Sequence, residues 1–233
     1  MGLQIMYKWG GNMQRMQAET GIKIDCNDKY KRAFDYFLTK KAMDIICSLI
    51  GIIVLSPVFL IIAIIIKLEL KGPVFFIQDR VGLNGKIFKM YKFRSMIDGA
   101  DSMLCGLLDK NEMSGPMFKI KEDPRVTKIG KFIRRTSIDE LPQFLNILKG
   151  EMSLVGPRPN LPREVIKFSE YQKQKLHAKP GLTCYWQVMG RSSIDFKEWM
   201  ELDIRYIEER STWVDIKLIF KTFRVLLGDE NAT

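Results

Sequence analysis

Histidine and cysteine are scarce in this chain of 233 residues. The one histidine is His177, and the four cysteines, Cys26, Cys47, Cys105 and Cys184, form no C-x-x-C pair. This pattern argues against a zinc site, and isolated cysteines are typical of a reducing compartment. Acid–base or nucleophilic chemistry would therefore rest mainly on carboxylates, lysines or hydroxyls.

Several functional motifs are also missing. No two aspartates stand two positions apart, so the D-x-D metal motif of glycosyltransferases that release a nucleoside diphosphate is absent. The G-x-x-x-x-G-K-[ST] loop of nucleotide triphosphatases is absent as well. No fold signature of a nucleic-acid-binding module accompanies the basic residues, so the sequence predicts no nucleic-acid partner.

Positive charge is in clear excess, with 37 lysines and arginines against 27 aspartates and glutamates, a formal net charge of +10. An excess of this size favours anionic partners, such as a phospholipid surface or phosphorylated small molecules.

Residues 45–66 form an uncharged, overwhelmingly apolar run. As a helix the run would extend about 33 Å, enough to cross a hydrocarbon core of ~30 Å. Lysines and arginines flank both ends, however, and such charges favour the cytoplasmic side. Pro57 has no N–H for the Ile53 carbonyl, so we expect a kink there, with the Ser56 hydroxyl satisfying freed backbone groups. From the residues alone, a spanning helix and a re-entrant helix both remain open.

Beyond Lys67 the chain is soluble in character. We divide the whole chain into an N-terminal extension, partly flexible and without export function (1–39), a membrane helix (40–70), which the family resemblance given below makes re-entrant, and a compact cytoplasmic catalytic domain (71–233). Residues 74–78 and 86–94 are predicted strands around a turn at 82–85. The predicted class is α/β, more closely α+β, and rich in helix. The C-terminal amphipathic helix can lie in the lipid headgroups or pack on the core.

An acid pair, Asp139-Glu140, stands in the segment RRTSIDELPQFLNILKGEMSLVGPRP (134–159). Ser137 with Glu140 matches a capping box, which would make the glutamate structural. Pro142 favours another register, in which Asp139 caps the helix and both carboxylates lie at its N-terminus. There the helix dipole would favour a carboxylate or a phosphoryl group, so one carboxylate could attack while the other binds a metal ion.

Arginines before and after the acid pair supply cations suited to phosphate oxygens: Arg134, Arg135 and Arg158. Arg158 stands in the sequence GPRP (156–159), where the prolines fix the backbone and reduce the entropy lost on binding. An ordinary surface turn is the alternative interpretation of this short motif.

Five motifs in a fixed order give the chain a family resemblance: KKAMD…SP, KIFKMYKFRSM, SIDELPQFLNILKGEMSLVGPRP, KPGLTCYWQVMGRS and ELDIRYIEERSTWVDIKLIFKT. From about Lys40 to Thr222 the sequence resembles the bacterial sugar transferases, which are monotopic polyprenyl-phosphate phosphoglycosyl transferases. The resemblance implies transfer of a sugar-1-phosphate from a UDP-sugar to a polyprenyl (undecaprenyl) phosphate. It further implies UMP release, a covalent aspartyl intermediate, and a place at the cytoplasmic face of the bacterial inner membrane.

The resemblance also implies roles for individual residues. Asp139 would be the nucleophile and Glu140 the ligand of Mg²⁺, or of Mn²⁺. Ser56-Pro57 would break a re-entrant helix. The remaining matches to the family's basic and acidic site positions are Lys92, Arg94, Arg134, Arg158 and Asp203.

One position departs from the family pattern, which reads Leu-Thr-Gly where this chain has Leu182-Thr183-Cys184. If the glycine is needed for a positive φ, Cys184 is strained or the turn differs. The extended C-terminal part is similar to that of enzymes that initiate exopolysaccharide and capsule synthesis, which favours UDP-glucose or UDP-galactose as the donor.

Overall fold

The computed structural model describes residues 26–190 and 194–228, with side chains from 35 to 226 within those ranges. The chain divides between Thr39 and Lys40 into two units. The described part of the first unit is the start of one long helix. The extension expected over residues 1–39 lies outside the described residues up to position 25, and from Cys26 onward the backbone is helical.

The long helix, α1 (Cys26–Glu69), contains the whole apolar run and continues through Pro57. Residues Asp35–Glu69 are long and apolar enough to cross a membrane, by length and composition. The Ser56 hydroxyl donates a hydrogen bond to the Ile53 carbonyl at 2.8 Å. That carbonyl is the one for which Pro57 has no N–H, so this predicted contact is confirmed.

Within the second unit, one narrow face of α1 packs against the other elements. Asp44 and Ser48 are buried near one end, and Ile62 and Ile66 near the other. Their spacing places them on a single stripe of the helix. The apolar side chains on the remaining surface are largely exposed, including Ile46, Leu49, Ile50, Ile53, Val54, Leu60, Ile61 and Ile64. The helix therefore buries a partly polar stripe and exposes a wide apolar face.

An antiparallel hairpin follows, formed by β1 (Phe75–Val81) and β2 (Ile87–Phe93). Asn84 and Gly85 both have positive φ, at 54° and 79°, which places the turn where the Gly-Leu-Asn-Gly sequence predicts it. Phe88, Met90 and Phe93 of β2 are buried, so the strand that carries Lys92 is held in place by packing.

Three short elements carry the acid pair. The helix α2 (Lys128–Arg135) is capped by Thr127, whose hydroxyl accepts the Gly130 N–H. It leads into two 3-10 turns (Ile138–Gln143) and then α3 (Phe144–Leu148). Gly150, with φ of 77°, follows α3 and agrees with the predicted end of this helix.

A second sheet has two parallel strands, β3 (Ser153–Val155) and β4 (Gly181–Thr183). Glycines allow the backbones to approach closely here. A Cβ on Gly156 would lie 2.3 Å from the Lys179 carbonyl oxygen, and one on Gly181 would lie 2.0 Å from the Gly156 nitrogen. The second sheet therefore fixes the position in space of Gly156, the first residue of the GPRP turn.

Helices complete the second unit. Along the chain, the segment that connects β3 to β4 contains α4 (Pro162–Val165), α5 (Glu170–Lys173) and a 3-10 turn (Gln174–His177). After β4 come α6 (Tyr185–Met189), α7 (Phe196–Glu209) and α8 (Thr212–Gly228). This helix-rich arrangement with a few short strands is consistent with the predicted class.

The C-terminal helix α8 packs on the core through one face. Asp215 and Leu218 are buried, so the core-packing interpretation of this helix holds for that face. Trp213, Phe220 and Phe223 are 60% or more exposed on the remaining surface. The helix therefore also carries an exposed aromatic surface.

Candidate active site

The acid pair lies in the first turn of the 3-10 segment Ile138–Gln143. The expectation that Asp139 caps the helix is wrong, because the flanking residue is Ser137, in the left-handed conformation with φ 57° and ψ 15°. The Ser137 side chain makes no capping hydrogen bond, so the alternative capping box is not formed either. The α-helical pattern begins only after Pro142, so the missing N–H of this proline interrupts no hydrogen bond of α3.

Lys92 of β2 connects the two carboxylates. Its Nζ lies 2.6 Å from Oε1 of Glu140 and 3.7 Å from Oδ2 of Asp139. Arg158 adds a second contact to Glu140, with Nη1 3.3 Å from the same Oε1. Glu140 is thus paired with two cations, whereas Asp139 has one at a longer distance.

This unequal pairing separates the acidities of the two groups. Burial raises the pKa of Asp139, against the opposing effect of Lys92. Burial acts in the same sense on Glu140, but the charges and hydrogen bonds of Lys92 and Arg158 outweigh it and lower the pKa of Glu140 to about 2. Glu140 is therefore ionised at neutral pH, and Asp139 is the carboxylate that protonates first as the pH falls.

The turn that carries Arg158 is supported from several sides. The Arg158 guanidinium lies 5.3 Å from the centroid of the Trp186 ring, a cation–π contact. Trp186 in turn packs on Trp199, with ring centroids 4.8 Å apart. The Pro159 carbonyl accepts a hydrogen bond from Nη1 of Arg80 at 3.1 Å. The rotamer and backbone of Arg158 are therefore constrained by packed neighbours.

Asp203 lies behind this turn and is fully buried. Its Oδ2 lies 2.6 Å from Nζ of Lys175, which also donates to Oδ1 of Asn160 at 2.6 Å. Burial raises the pKa of Asp203, and the charge of Lys175 opposes this effect. The predicted part of Asp203 in the site stays a prediction.

Two predicted cations lie farther from the acid pair. Arg134 is in the last turn of α2, exposed, and its charge lowers the pKa of Asp139 without a direct contact. Arg94 donates to the Lys71 carbonyl at 3.0 Å and contacts Asp98 at 3.2 Å. The structure thus brings Lys92, Arg158 and the acid pair together, and directs Arg94 towards the segment that follows α1.

A small open recess adjoins Glu140, with about 220 Å³ of space that includes part open to solvent. Three of its lining residues are cations and one is a carboxylate. The lining consists of Arg80, Met90, Lys92, Glu140, Gln143, Arg158, Pro159, Gly181 and Leu182. The recess is therefore an electropositive surface beside the acid pair.

The residues present fit a magnesium ion that binds together with a diphosphate. The described residues contain no group of three or more histidine, cysteine, aspartate or glutamate side chains arranged for a metal. Mg²⁺, however, is commonly bound by one or two carboxylates and substrate phosphates. The hydrogen bonds that described residues donate to Glu140 both go to Oε1, which leaves Oε2 for a cation.

Cys184 is the residue for which the resemblance raised the question of backbone strain. Its backbone is extended, with φ −161° and ψ −170°, which any residue adopts, so the expected strain is not found. Its side chain is fully buried in the core, and burial raises the pKa of the thiol well above its ordinary value. The thiol fills space in the core and stays protonated.

Sequence reasoning missed three residues of this region: Arg80, Lys175 and Trp186. Arg80 had a signal, because it lies two positions after Gln78 on the same half-buried face of β1 and so puts a charge on the less exposed side of the strand. The stretch around Lys175 has no such pattern. Its partners Asn160 and Asp203 are distant in sequence and meet it only in the fold.

Comparison with known proteins gives consistent matches. The family model "Bacterial sugar transferase" matches residues 35–229. The galactosyl transferase CpsE of Streptococcus agalactiae is 45% identical over 218 residues, 92% of this chain and 48% of that protein. The undecaprenyl-phosphate galactose phosphotransferase of Salmonella typhimurium is 40% identical over 197 residues, 83% of this chain and 41% of that protein.

A shorter relative is matched over most of its length. The exopolysaccharide production protein ExoY of Sinorhizobium fredii is 35% identical over 189 residues, which cover 79% of this chain and 84% of that protein. The chain spans about half the length of CpsE and of the Salmonella protein. The residues that the family model matches include the acid pair, Lys92, the Arg158 turn and Asp203.

Proposed function

The chain belongs to the bacterial sugar transferase family, and we propose that it transfers a sugar-1-phosphate from a UDP-sugar to a polyprenyl phosphate and releases UMP. The observation that carries this proposal is the acid pair, in which Glu140 is ionised and paired with two cations while Asp139 is buried and weakly paired. Such a pair can divide the tasks of attack and charge binding. The product would be the lipid on which an exopolysaccharide, capsule or other glycoconjugate is built.

In the first half-reaction, an ionised oxygen of Asp139 attacks the sugar-bearing phosphorus. A bond forms between that oxygen and phosphorus, the bond from phosphorus to the bridging oxygen breaks, and its electron pair leaves with UMP. No proton transfer is needed, because the nucleophile is a carboxylate. Lys92 lies close enough to Asp139 to favour its ionised form, which burial opposes.

In the second half-reaction, a phosphate oxygen of the polyprenyl phosphate attacks the same phosphorus. The bond from the Asp139 oxygen to phosphorus breaks, and the carboxylate is restored. Arg158, constrained by Trp186 and by the Arg80 contact to Pro159, can bind phosphate oxygens with little loss of side-chain entropy. A Mg²⁺ or Mn²⁺ ion bound at Glu140 would neutralise charge on the diphosphate.

The donor that we propose is UDP-galactose or UDP-glucose. The names of two relatives support galactose, because CpsE is called a galactosyl transferase and the Salmonella protein a galactose phosphotransferase.

We further propose that α1 enters and leaves the membrane on the cytoplasmic side. Lys40 donates to the Val155 carbonyl and pairs with Asp215, and near the other end Glu69 accepts the backbone N–H of Lys128. Polar contacts near both ends of residues 40–69 thus join the helix to the same unit, and its exposed face is apolar. A spanning helix would place those ends on opposite sides of the membrane. The exposed aromatic surface of α8 supports a site at the lipid headgroups.

The test of the reaction uses purified protein in detergent or nanodiscs. With a UDP-sugar and no lipid, the wild type should gain the mass of a phosphosugar at Asp139 and release one UMP per chain. Asp139→Asn should fold and gain no mass, whereas the control Asp109→Asn, at an exposed position, should match the wild type. A chelator should abolish UMP release. UDP as the first nucleotide product would refute the proposal.

The test of topology uses cysteine labelling in intact cells. Single cysteines at Thr20 and Lys71, in a chain whose native cysteines are replaced, should both resist a membrane-impermeant thiol reagent until the cells are opened. Labelling of only the first position from outside would show a spanning helix. Replacing Ser56 and Pro57 by leucines should favour that outcome, since the proline that is unfavourable inside a helix is then gone.

A further inference from the structure

Arg80 is the cation of the recess that has a buried N–H without an acceptor among the described residues. Its Nη2 donates to Oε1 of Gln78 at 2.7 Å, and its Nη1 donates to the Pro159 carbonyl at 3.1 Å. Its Nε is buried and has no hydrogen-bond partner among the residues that the structure describes. A buried N–H of a guanidinium without an acceptor costs free energy, so its persistence indicates that an acceptor comes from elsewhere.

The charges of the recess point to an anion as that acceptor. Its lining holds three cations, Arg80, Lys92 and Arg158, but one carboxylate, Glu140. That carboxylate already receives hydrogen bonds from Lys92 and Arg158. Burial and the nearby Arg158 charge lower the pKa of Arg80 to about 10, against the opposing charges of Glu164 and Glu140. An entering phosphate would supply both the missing acceptor and the missing negative charge.

We propose that Arg80 binds the phosphate that is not transferred, the one that leaves in the nucleoside monophosphate. Glu140, Arg158 and Arg80 line the recess, whereas Asp139 does not. The recess therefore lies beside the nucleophile, where the leaving phosphate would be placed. This inference rests on the proposed function and adds a substrate-binding residue to it.

The proposed role is electrostatic stabilisation of the leaving group. When the bond to the bridging oxygen breaks, its electron pair stays on the monophosphate, whose negative charge increases. The cation and the Nε–H of Arg80 would meet that charge as it develops. Arg80 itself transfers no proton in this step and forms no covalent bond.

The experiment measures binding of UMP and of inorganic pyrophosphate to the full chain in nanodiscs, with chelator present and without a lipid substrate. The variants are Arg80→Met, Arg80→Gln and Arg80→Lys. The matched control is Arg163→Met, which removes the same charge from an exposed position that still influences Arg80 electrostatically. Thermal unfolding of each variant shows whether it is folded.

We expect Arg80→Met and Arg80→Gln to weaken binding of both anions at least tenfold and to flatten its salt dependence. Arg80→Lys should stay within about threefold to fivefold of the wild type, because it keeps the charge. The glutamine variant keeps a polar side chain without the charge, so a loss of binding in a folded glutamine variant reports on the cation. If Arg80→Met does not fold, Arg80→Gln is read by the same criteria.

Pyrophosphate and UMP binding of the glutamine variant within twofold of the wild type would overturn the inference, and so would equal losses in Arg80→Gln and Arg163→Met. The proposed function is tested separately, by the nucleotide that the wild type releases. A wild type that releases UMP while Arg80 variants bind the anions normally would refute this inference alone. Release of UDP would refute the function, while pyrophosphate binding still reports on the recess.

Discussion

Lys92 is the residue whose removal should change the chemistry of both carboxylates at once. It contributes the largest opposing charge on Asp139 and on Glu140. The lowering of the Glu140 pKa from 4.5 to about 2 corresponds to about 3 kcal/mol of preference for the ionised form. Lys92 provides the shorter of the two contacts, so Lys92→Met should remove a large part of that preference.

The sign of the pH effect follows from the directions in which the pKa values of Asp139 and Glu140 are shifted. Because the folded-state pKa of Glu140 is lowered, its contribution to stability is present above pH 4.5 and is lost as the pH falls towards 2. Asp139 has a raised pKa, so it protonates first, and removal of Lys92 raises that pKa further. In Lys92→Met the acidic limb of the rate of adduct formation should move to higher pH, and the maximal rate should fall at least tenfold.

The assay is single-turnover UMP release between pH 5 and 9, with the phosphosugar adduct followed by mass. The matched control is Lys89→Met, on the same strand, whose Nζ pairs with Asp79 at 2.8 Å on the exposed side of the hairpin. That variant should keep the wild-type profile, since exposed pairs contribute little. An unchanged acidic limb in Lys92→Met would show that this lysine does not control the ionisation of the nucleophile.

Two further predictions concern the scaffold. Gly156→Ala places a Cβ 2.3 Å from the Lys179 carbonyl oxygen and should cost about 1–3 kcal/mol of unfolding free energy, with loss of UMP release as the Arg158 turn shifts. The control Gly106→Ala meets no atom within 4 Å and should unfold like the wild type. Lys40→Met removes the cation paired with the buried Asp215 and should cost about 3–5 kcal/mol in thermal or denaturant unfolding. Adding Asp215→Asn should recover part of that cost, and a double variant as unstable as the single one would contradict this account.

Local patterns predicted the parts of the fold that depend on local physics. The apolar run, the hairpin turn at Asn84 and the end of α3 before Gly150 all follow from residue types within a few positions of each other. The hydrogen bond from Ser56 to Ile53 was predictable for the same reason, because a proline leaves one known carbonyl without its donor.

The start of the helix beside the acid pair was not predictable in this way. A 3-10 turn and an α-helical turn differ little in free energy, so the neighbouring packed elements decide between them. The left-handed conformation of Ser137, which directs the chain from α2 into Ile138–Gln143, has no signal in the residue type.

Long-range polar contacts were the largest omission. Lys40 and Asp215 are 175 residues apart in sequence, and Arg80 and the Pro159 carbonyl are 79 apart. A charged residue in a strand or helix shows which way it faces only through alternation, and its partner is determined by the fold as a whole. The predicted site therefore contained the acid pair, Lys92, Arg158 and Asp203, but lacked Arg80, Lys175 and Trp186, which contact these residues or their turn.

The contacts of the acid pair give a physical reason for assigning unequal roles to its members. A carboxylate with two cations on one oxygen, as in Glu140, has its charge stabilised where it is and is a poor nucleophile. Asp139 is buried and has Lys92 only at 3.7 Å, so its ionised form is less stabilised and more reactive. An entering diphosphate adds negative charge that disfavours this ionised form, and the cations around the recess offset that effect. The electrostatics of this site therefore favour Asp139 over Glu140 as the nucleophile.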